Sequence, residues 1–336
     1  MRVPASFRDE PGTAARPRGD AGRRAAGMRA RHASPAGRRS ARVPLDASSA
    51  FSPAPLLQAL LAIAGLSTLV WLCAVAVVWG RQERLIFRPD ARPLGPVPQH
   101  LAACRFRPER LRTADGLTLH FWAAPPLPGY PVLVVFHGNV GNAADRSALL
   151  APFAEAGYGM VLAEYRGYAG NPGAPSETGF LEDARAHLDW VAACWGERAP
   201  ILCGESIGSG VAVRMAKERP VRAVVLDAPY TSIADLAAAM YRWLPARALL
   251  RHRFDSMACL PEVRVPLLVL HGEADDLIPP EHGRRVAAAA GGPAEFLLLP
   301  GAGHPVLGND PAGRGAAAVR RFLDAFSPRL DAGIGT

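Results

Sequence analysis

Three short stretches carry residues whose types and order can do nucleophilic chemistry: Gly204-Glu205-Ser206-Ile207-Gly208, Glu273-Ala274-Asp275-Asp276, and Gly301-Ala302-Gly303-His304. A serine hydroxyl is a weak nucleophile at its own pKa. It needs a base within hydrogen-bond reach, and the base needs an acid that holds its tautomer and stabilises the imidazolium. Ser206, then Asp275 or Asp276, then His304 supply nucleophile, acid and base in that chain order. Each follows a short apolar run: "ILC", "LLVLHG" and "EFLLLPGAG". Of the two acids, Asp275 stands nearer the end of its run. A fourth run, "VLVVF", leads into His137-Gly138-Asn139, whose backbone can donate to a developing oxyanion together with the N–H of Ile207. G-x-S-x-G alone is weak, because glycine and serine are common in loops. "GESIGSG" also lacks the G-K-[ST] ending of a phosphate loop.

The elements that must position these groups alternate in type. "RLRTADGLTLHFWAA" reads as a hairpin turning at Asp115-Gly116 in a type I′ geometry. From residue 131 on, continuously apolar strands ("PVLVVFHG", "GMVLAEYRG", "PILCGES", "VRAVVLDAP", "PLLVLHGEAD", "AEFLLLPGAGH") alternate with helical stretches at 141–156, 177–194, 207–218, 280–290 and 311–325. Apolar strands separated by helices predict an α/β fold with a mostly parallel sheet covered on both faces, here after an antiparallel start. Sites in such sheets form at the carboxyl ends of the strands, where the four reactive stretches fall.

Charge is unevenly spread. Residues 1–55 hold eleven arginines against Asp9, Glu10, Asp20 and Asp46, a surplus of +7 out of a net +8. The remaining chain is close to neutral, so nucleic-acid binding is not expected of the body. The arginine-, proline- and alanine-rich tail 1–55 has no sustained period and reads as disordered. Residues 56–79 carry no charge, and a helix of that length, about 36 Å, can cross a hydrocarbon core of about 30 Å. A cleaved signal peptide would have a shorter apolar run, and the cleavage-like Ala74-x-Ala76 lies inside this one. The expected organisation is a tail (1–55), a membrane anchor (56–79), a linker (80–103), a catalytic domain (104–328) and a short tail (329–336). The anchor makes this a single-pass membrane protein, with the catalytic domain expected on the extracytoplasmic side. Five scattered cysteines with no C-x-x-C pair argue against a disulfide framework or zinc knuckle, and neither metal nor cofactor is expected. Oligomeric state leaves no mark in the sequence.

"VFHGNVGN", "EYRGYAGNPGAPSETG", "GESIGSGVAVRMA", "LDAPYTSIADLA", "LHGEADDLIPPEHGRRV" and "GAGHPVLG" resemble, in order, the motifs of α/β-hydrolase serine hydrolases. The likeness spans residues 81–325 and is nearest the membrane-anchored, single-domain branch carrying dipeptidyl aminopeptidase, acylaminoacyl-peptidase or lysophospholipase names. It implies an α/β-hydrolase fold, Ser206 as nucleophile, Asp275 as acid, His304 as base, and Asn139 and Ile207 as oxyanion donors. One departure falls at Ala169 and Pro172, where the family usually has glycine and serine. The stretch 231–262 occupies the usual place of a cap. There Met240, Tyr241, Trp243 and Leu244, with Leu249 and Leu250, could line an acyl pocket while Arg242, Arg247, Arg251 and Arg253 face a headgroup. The plainer expectation is an amphipathic helix lying on the sheet. The reading is therefore a membrane-anchored hydrolase of small or lipid-like carboxylic esters or thioesters. A serine peptidase of the same fold and a non-catalytic anchored binding protein are the alternatives.

Overall fold

The computed structural model describes residues 53–327. The expected tails over 1–55 and 329–336 lie outside the described residues, apart from 53–55. The chain divides into two units, Met1–Ala59 and Leu60–Thr336. Of the first, the described part is the opening of helix α1 (Ala54–Gly80). The second holds the rest of α1 and every other element.

α1 is long and apolar enough to cross a membrane, and none of its residues is buried. It is followed by α2 (Gln82–Ile86) and α3 (Gln99–Ala103), inside the stretch expected to be a linker. That stretch instead packs into the body. Phe87 and Leu101 are fully covered, and the Phe87 ring lies 5.2 Å from that of Phe180. Two large apolar side chains in 80–103 give the segment core surface to bury, which a solvated linker lacks.

Strands β1 (Arg107–Arg112) and β2 (Thr118–Ala124) form the antiparallel start. Their turn is not type I′, which needs positive φ at both central residues. Only Gly116 has it, at 91°, and Thr113 pairs with Leu117 across a three-residue loop. Next come β3 (Val132–Phe136), α4 (Ala144–Glu155), β4 (Gly159–Ala163), α5 (Glu177–Trp195), β5 (Ile201–Glu205), α6 (Ile207–Glu218) and β6 (Ala223–Asp227). α7 (Ile233–Met240) and α8 (Ala246–Leu249) precede β7 (Leu267–Gly272), α9 (Pro280–Ala288), β8 (Ala294–Leu299), α10 (Val306–Asn309) and α11 (Arg314–Asp324). The sheet order is β1-β2-β4-β3-β5-β6-β7-β8, with β3 to β8 mutually parallel.

This is the α/β-hydrolase fold. Alternate residues of each central strand feed two cores: Val134 and Phe136 point to the α5, α6 and α9 side, Leu133 and Val135 to the α4 and α11 side. From β3 the chain crosses to β4, then returns over β3 to β5. The crevice at a reversal of this kind is where α/β sheets bind ligands, and the Asn139 and Ser206 loops leave the sheet there.

The β5–α6 corner is tight. A Cβ on Gly208 would sit 2.1 Å from the Phe136 carbonyl oxygen and 2.7 Å from that of His137, and one on Gly204 would sit 2.6 Å from the Gly208 oxygen. Backbone cannot yield to such contacts as a side-chain tip can. Gly208→Ala is expected to lower the melting temperature by roughly 5 to 10 °C, as an overpacked core does. Gly308→Ala, with open space at its Cβ, should leave it unchanged. Equal melting of the two variants in thermal scans would contradict this packing.

Candidate active site

Ser206 joins β5 to α6 with φ 50° and ψ −118°, a conformation side chains other than glycine's rarely hold. Its N–H donates to the Asp227 carbonyl of the neighbouring strand at 2.9 Å. The turn directs Oγ out of the sheet, where it lies 3.0 Å from His304 Nε2. His304 Nδ1 lies 2.8 Å from Asp275 Oδ2. With the carboxylate accepting, Nδ1 carries the imidazole proton, and Nε2 is left to accept from the serine hydroxyl. The structure thus brings Ser206, His304 and Asp275 into one chain of hydrogen bonds. Asp276 is exposed and stays outside it.

Asp275 is satisfied on both oxygens. Oδ1 accepts the N–H groups of Leu277 (3.0 Å) and Ile278 (2.8 Å), and Oδ2 faces His304 and His271. Burial alone would raise its pKa. The hydrogen bonds from His271, His304 and Ile278 outweigh burial and hold the carboxyl well below the usual carboxylate range. It is therefore ionised at any pH near neutrality. His271 is the buried strand residue its setting suggests, with Nε2 2.8 Å from the Ile278 carbonyl, but it also touches the acid. His137 is buried between the Gly138 carbonyl and Glu164.

Asn139 and Ile207 line the same pocket as Ser206. The Asn139 side chain is spent on anchoring: Oδ1 accepts from the Arg88 N–H (3.0 Å) and the Tyr168 hydroxyl (2.8 Å), and Nδ2 donates to the Ile86 carbonyl (2.6 Å). Its backbone N–H is not engaged by that anchoring. Ile207 opens α6, so its N–H has no partner within the helix. Backbone donors beside a serine–histidine pair stabilise a tetrahedral acyl-transfer intermediate where they point at its oxygen.

The pocket, about 470 Å³, is walled by Met240, Tyr241, Trp243 and Leu244, with Leu250, but not by Leu249. The plainer expectation of an amphipathic helix on the sheet is met in part, since α7 packs Ile233 and Leu236 against the core. α7 buries only Ala234, and Met240, Tyr241 and Trp243 stay about half exposed at the pocket rim. Of the four cap arginines, Arg247 is paired with Asp235 (3.0 Å) and Arg251 with Glu83 (2.8 Å), while Arg253 donates to the Arg247 carbonyl. Ala169, at the family's usual glycine, takes a left-handed φ of 53° with its N–H on the Asp90 carbonyl, so the loop keeps a glycine-like shape without glycine. Among the described residues, no group of three His, Cys, Asp or Glu side chains could hold a metal ion.

Sequence reasoning missed three supports. The buried Asp227 carboxylate receives the N–H groups of Val306 (2.8 Å) and Leu307 (3.0 Å), just after His304. Arg146 grips Glu205 with two hydrogen bonds, at 2.6 and 3.1 Å. Glu164 accepts from the Ala143 N–H and faces His137. All three carboxylates stand at or just past the carboxyl end of a buried strand, and that placement was the available signal.

Comparison with known proteins agrees with this fold. A family described as "Serine aminopeptidase, S33" matches residues 130–258, a span that includes Ser206 and stops short of Asp275 and His304. An uncharacterized Mycobacterium tuberculosis protein, Rv2307c, is 38% identical over 257 residues, covering 74% of this chain and 89% of the relative. The lysophosphatidylserine lipase ABHD12 of Xenopus tropicalis is 28% identical over 198 residues, covering 52% of this chain and 50% of the relative. The solved structure of the Pyrococcus furiosus esterase Pf2001 superposes with a TM-score of 0.60 at 16% identity, over 71% of this chain and 97% of the esterase. The chain belongs to the α/β-hydrolase family of serine hydrolases.

Asp227 makes the site's stability pH-dependent. Burial, with the Glu205 charge next, pushes its carboxyl up to about 7, against about 4 in an unfolded chain. A carboxyl raised in this way favours the fold while protonated. Its contribution is complete below about pH 4 and fades as pH rises through about 7. Melting temperature should therefore fall between about pH 4 and 7, and Asp227→Asn, which cannot ionise, should flatten that slope. An unchanged slope in the variant, measured by thermal scans across this range, would refute the assignment.

Proposed function

We propose that this protein is a membrane-anchored serine hydrolase that cleaves carboxylic esters or thioesters through an acyl-enzyme on Ser206. The observation that carries the reading is the chain of contacts from Ser206 Oγ through His304 to Asp275, at 3.0 and 2.8 Å. In this reading His304 takes the serine proton as Oγ attacks the acyl carbon, while the Ile207 and Asn139 N–H groups hold the oxyanion. The leaving alcohol or thiol departs with the proton from His304. Water, activated by the same imidazole, then releases the acid and restores the serine. Asp275 stays ionised throughout and balances the imidazolium. The lipase and esterase relatives support ester chemistry, and the apolar helix α1 supports an anchor that leaves the hydrolase body at one membrane face, with the extracytoplasmic side preferred.

Peptide hydrolysis is the second reading, favoured by the family's aminopeptidase description. An aminopeptidase needs a carboxylate to hold the substrate's terminal ammonium. The residues lining the Ser206 pocket are mostly apolar and include no Asp or Glu, which favours an acyl chain.

A fluorophosphonate probe is expected to label the full-length protein once, and Ser206→Ala to abolish labelling. Hydrolysis of 4-nitrophenyl esters should fall by about 10⁴-fold or more in Ser206→Ala and in His304→Ala. Amino-acid 4-nitroanilides should be cleaved far more slowly than the esters by the native protein. Undiminished ester turnover in Ser206→Ala would overturn the mechanism, and faster anilide cleavage would favour the peptidase.

A further inference from the structure

Apolar surface outside α1 is concentrated in one place. Among the described residues beyond that helix, seven large apolar side chains are exposed, and five of them, Leu85, Met240, Tyr241, Trp243 and Leu277, line the Ser206 pocket. Val78, from the last turn of α1, lines it too. A soluble rim would carry polar side chains, and a patch of this kind marks a surface that meets an apolar partner.

α1 says which partner. Trp71 Nε1 donates to the Trp243 carbonyl at 3.1 Å, so the 240–244 loop lies beside the helix nine residues before its end at Gly80. Twenty-seven residues make a helix of about 40 Å, some 10 Å longer than a hydrocarbon core. With α1 centred, Trp71 and the carbonyl it meets fall about 9 Å inside the hydrocarbon boundary. A loop carbonyl in lipid must find a donor, and the indole N–H supplies one. Nearer the end of the helix the chemistry becomes that of an interface. The Arg251 guanidinium stacks 4.2 Å over Trp79 and pairs with Glu83, and Gln82 bridges the Trp79 carbonyl and the Arg251 N–H. A sequence of apolar loop, tryptophan and then charged groups follows the polarity profile of a bilayer leaflet.

We propose that the 240–244 loop and Leu85 are seated in the bilayer that α1 crosses, and that the pocket takes its acyl chain sideways from the lipid phase. The substrate class is then an acyl ester resident in the membrane, whose chain slides between α2 and the 240–244 loop to Ser206 without crossing water. The route rests on the hydrolase reading above, whereas the seating of the loop does not.

The test uses the full-length protein in phosphatidylcholine vesicles. The difference in emission between the native protein and Trp243→Phe isolates Trp243. Lipids brominated along their acyl chains should quench most of it, while aqueous iodide should not. Quenching by iodide and not by bromolipid overturns the seating. In the same vesicles, Trp243→Glu should lower kcat/KM for embedded 4-methylumbelliferyl oleate by about tenfold more than for soluble 4-nitrophenyl acetate. Equal losses on both esters overturn the lateral route. Fluorophosphonate labelling of the variant confirms that its site is folded. Bromolipid quenching in a protein that hydrolyses neither ester would uphold the surface and fail the hydrolase reading instead.

Discussion

The backbone of Ser206 is the constraint around which the site is built. A residue at φ 50° and ψ −118° costs about 1–3 kcal/mol and persists only where its surroundings allow nothing else. Here the surroundings do so from three directions. Gly204 and Gly208 let the strand and helix close to distances no Cβ would permit, the Ser206 N–H is tied to the Asp227 carbonyl, and Tyr230 donates to the Ile207 carbonyl at 3.2 Å. The result is a hydroxyl lifted above the carboxyl edge of the sheet, beside the first free N–H of α6.

Asp227 links that corner to the histidine. Its carbonyl holds the Ser206 turn while its carboxylate holds the backbone just after His304, so one residue at the end of β6 sets the separation of the two. Keeping a carboxyl there is expensive, because it is buried near Glu205. Glu205 in turn is neutralised by Arg146 from α4. The Asn139 loop is fixed from the opposite side, where Asn139 is bonded to Ile86, Arg88 and Tyr168. The segment that follows the apolar helix therefore lines the pocket as well as holding the Asn139 loop.

Much of this was legible in the chain itself. Continuously apolar strands reported a buried parallel sheet because both faces of such a sheet are covered, and the reactive residues stood out because a nucleophile, an acid and a base follow three such runs in the order Ser206, Asp275, His304. Asp275 could be preferred to Asp276 from its nearness to the strand end and from the family likeness, but the physical reason was out of sight: the turn after β7 folds the Leu277 and Ile278 N–H groups back onto the Asp275 carboxylate. The supports were harder still. Asp227, Glu164 and His271 look like ordinary ends of strands until the loops that dock on them are in place, and those loops are remote in sequence. The packing of residues 80–103 was hidden because scattered apolar residues such as Phe87 and Leu101 show no period. The type I′ turn failed because Asp-Gly also suits a longer loop in which glycine alone takes positive φ.

The central claim is that Ser206 carries the acyl group. Rapid mixing of the full-length protein with a 4-nitrophenyl ester, followed by an acid quench and mass analysis of the peptide containing Ser206, tests it most directly. The account predicts a burst of nitrophenol, stoichiometric with protein, and a mass increase equal to one acyl group on that peptide at Ser206. Steady hydrolysis with no burst and an unmodified Ser206 peptide would contradict it.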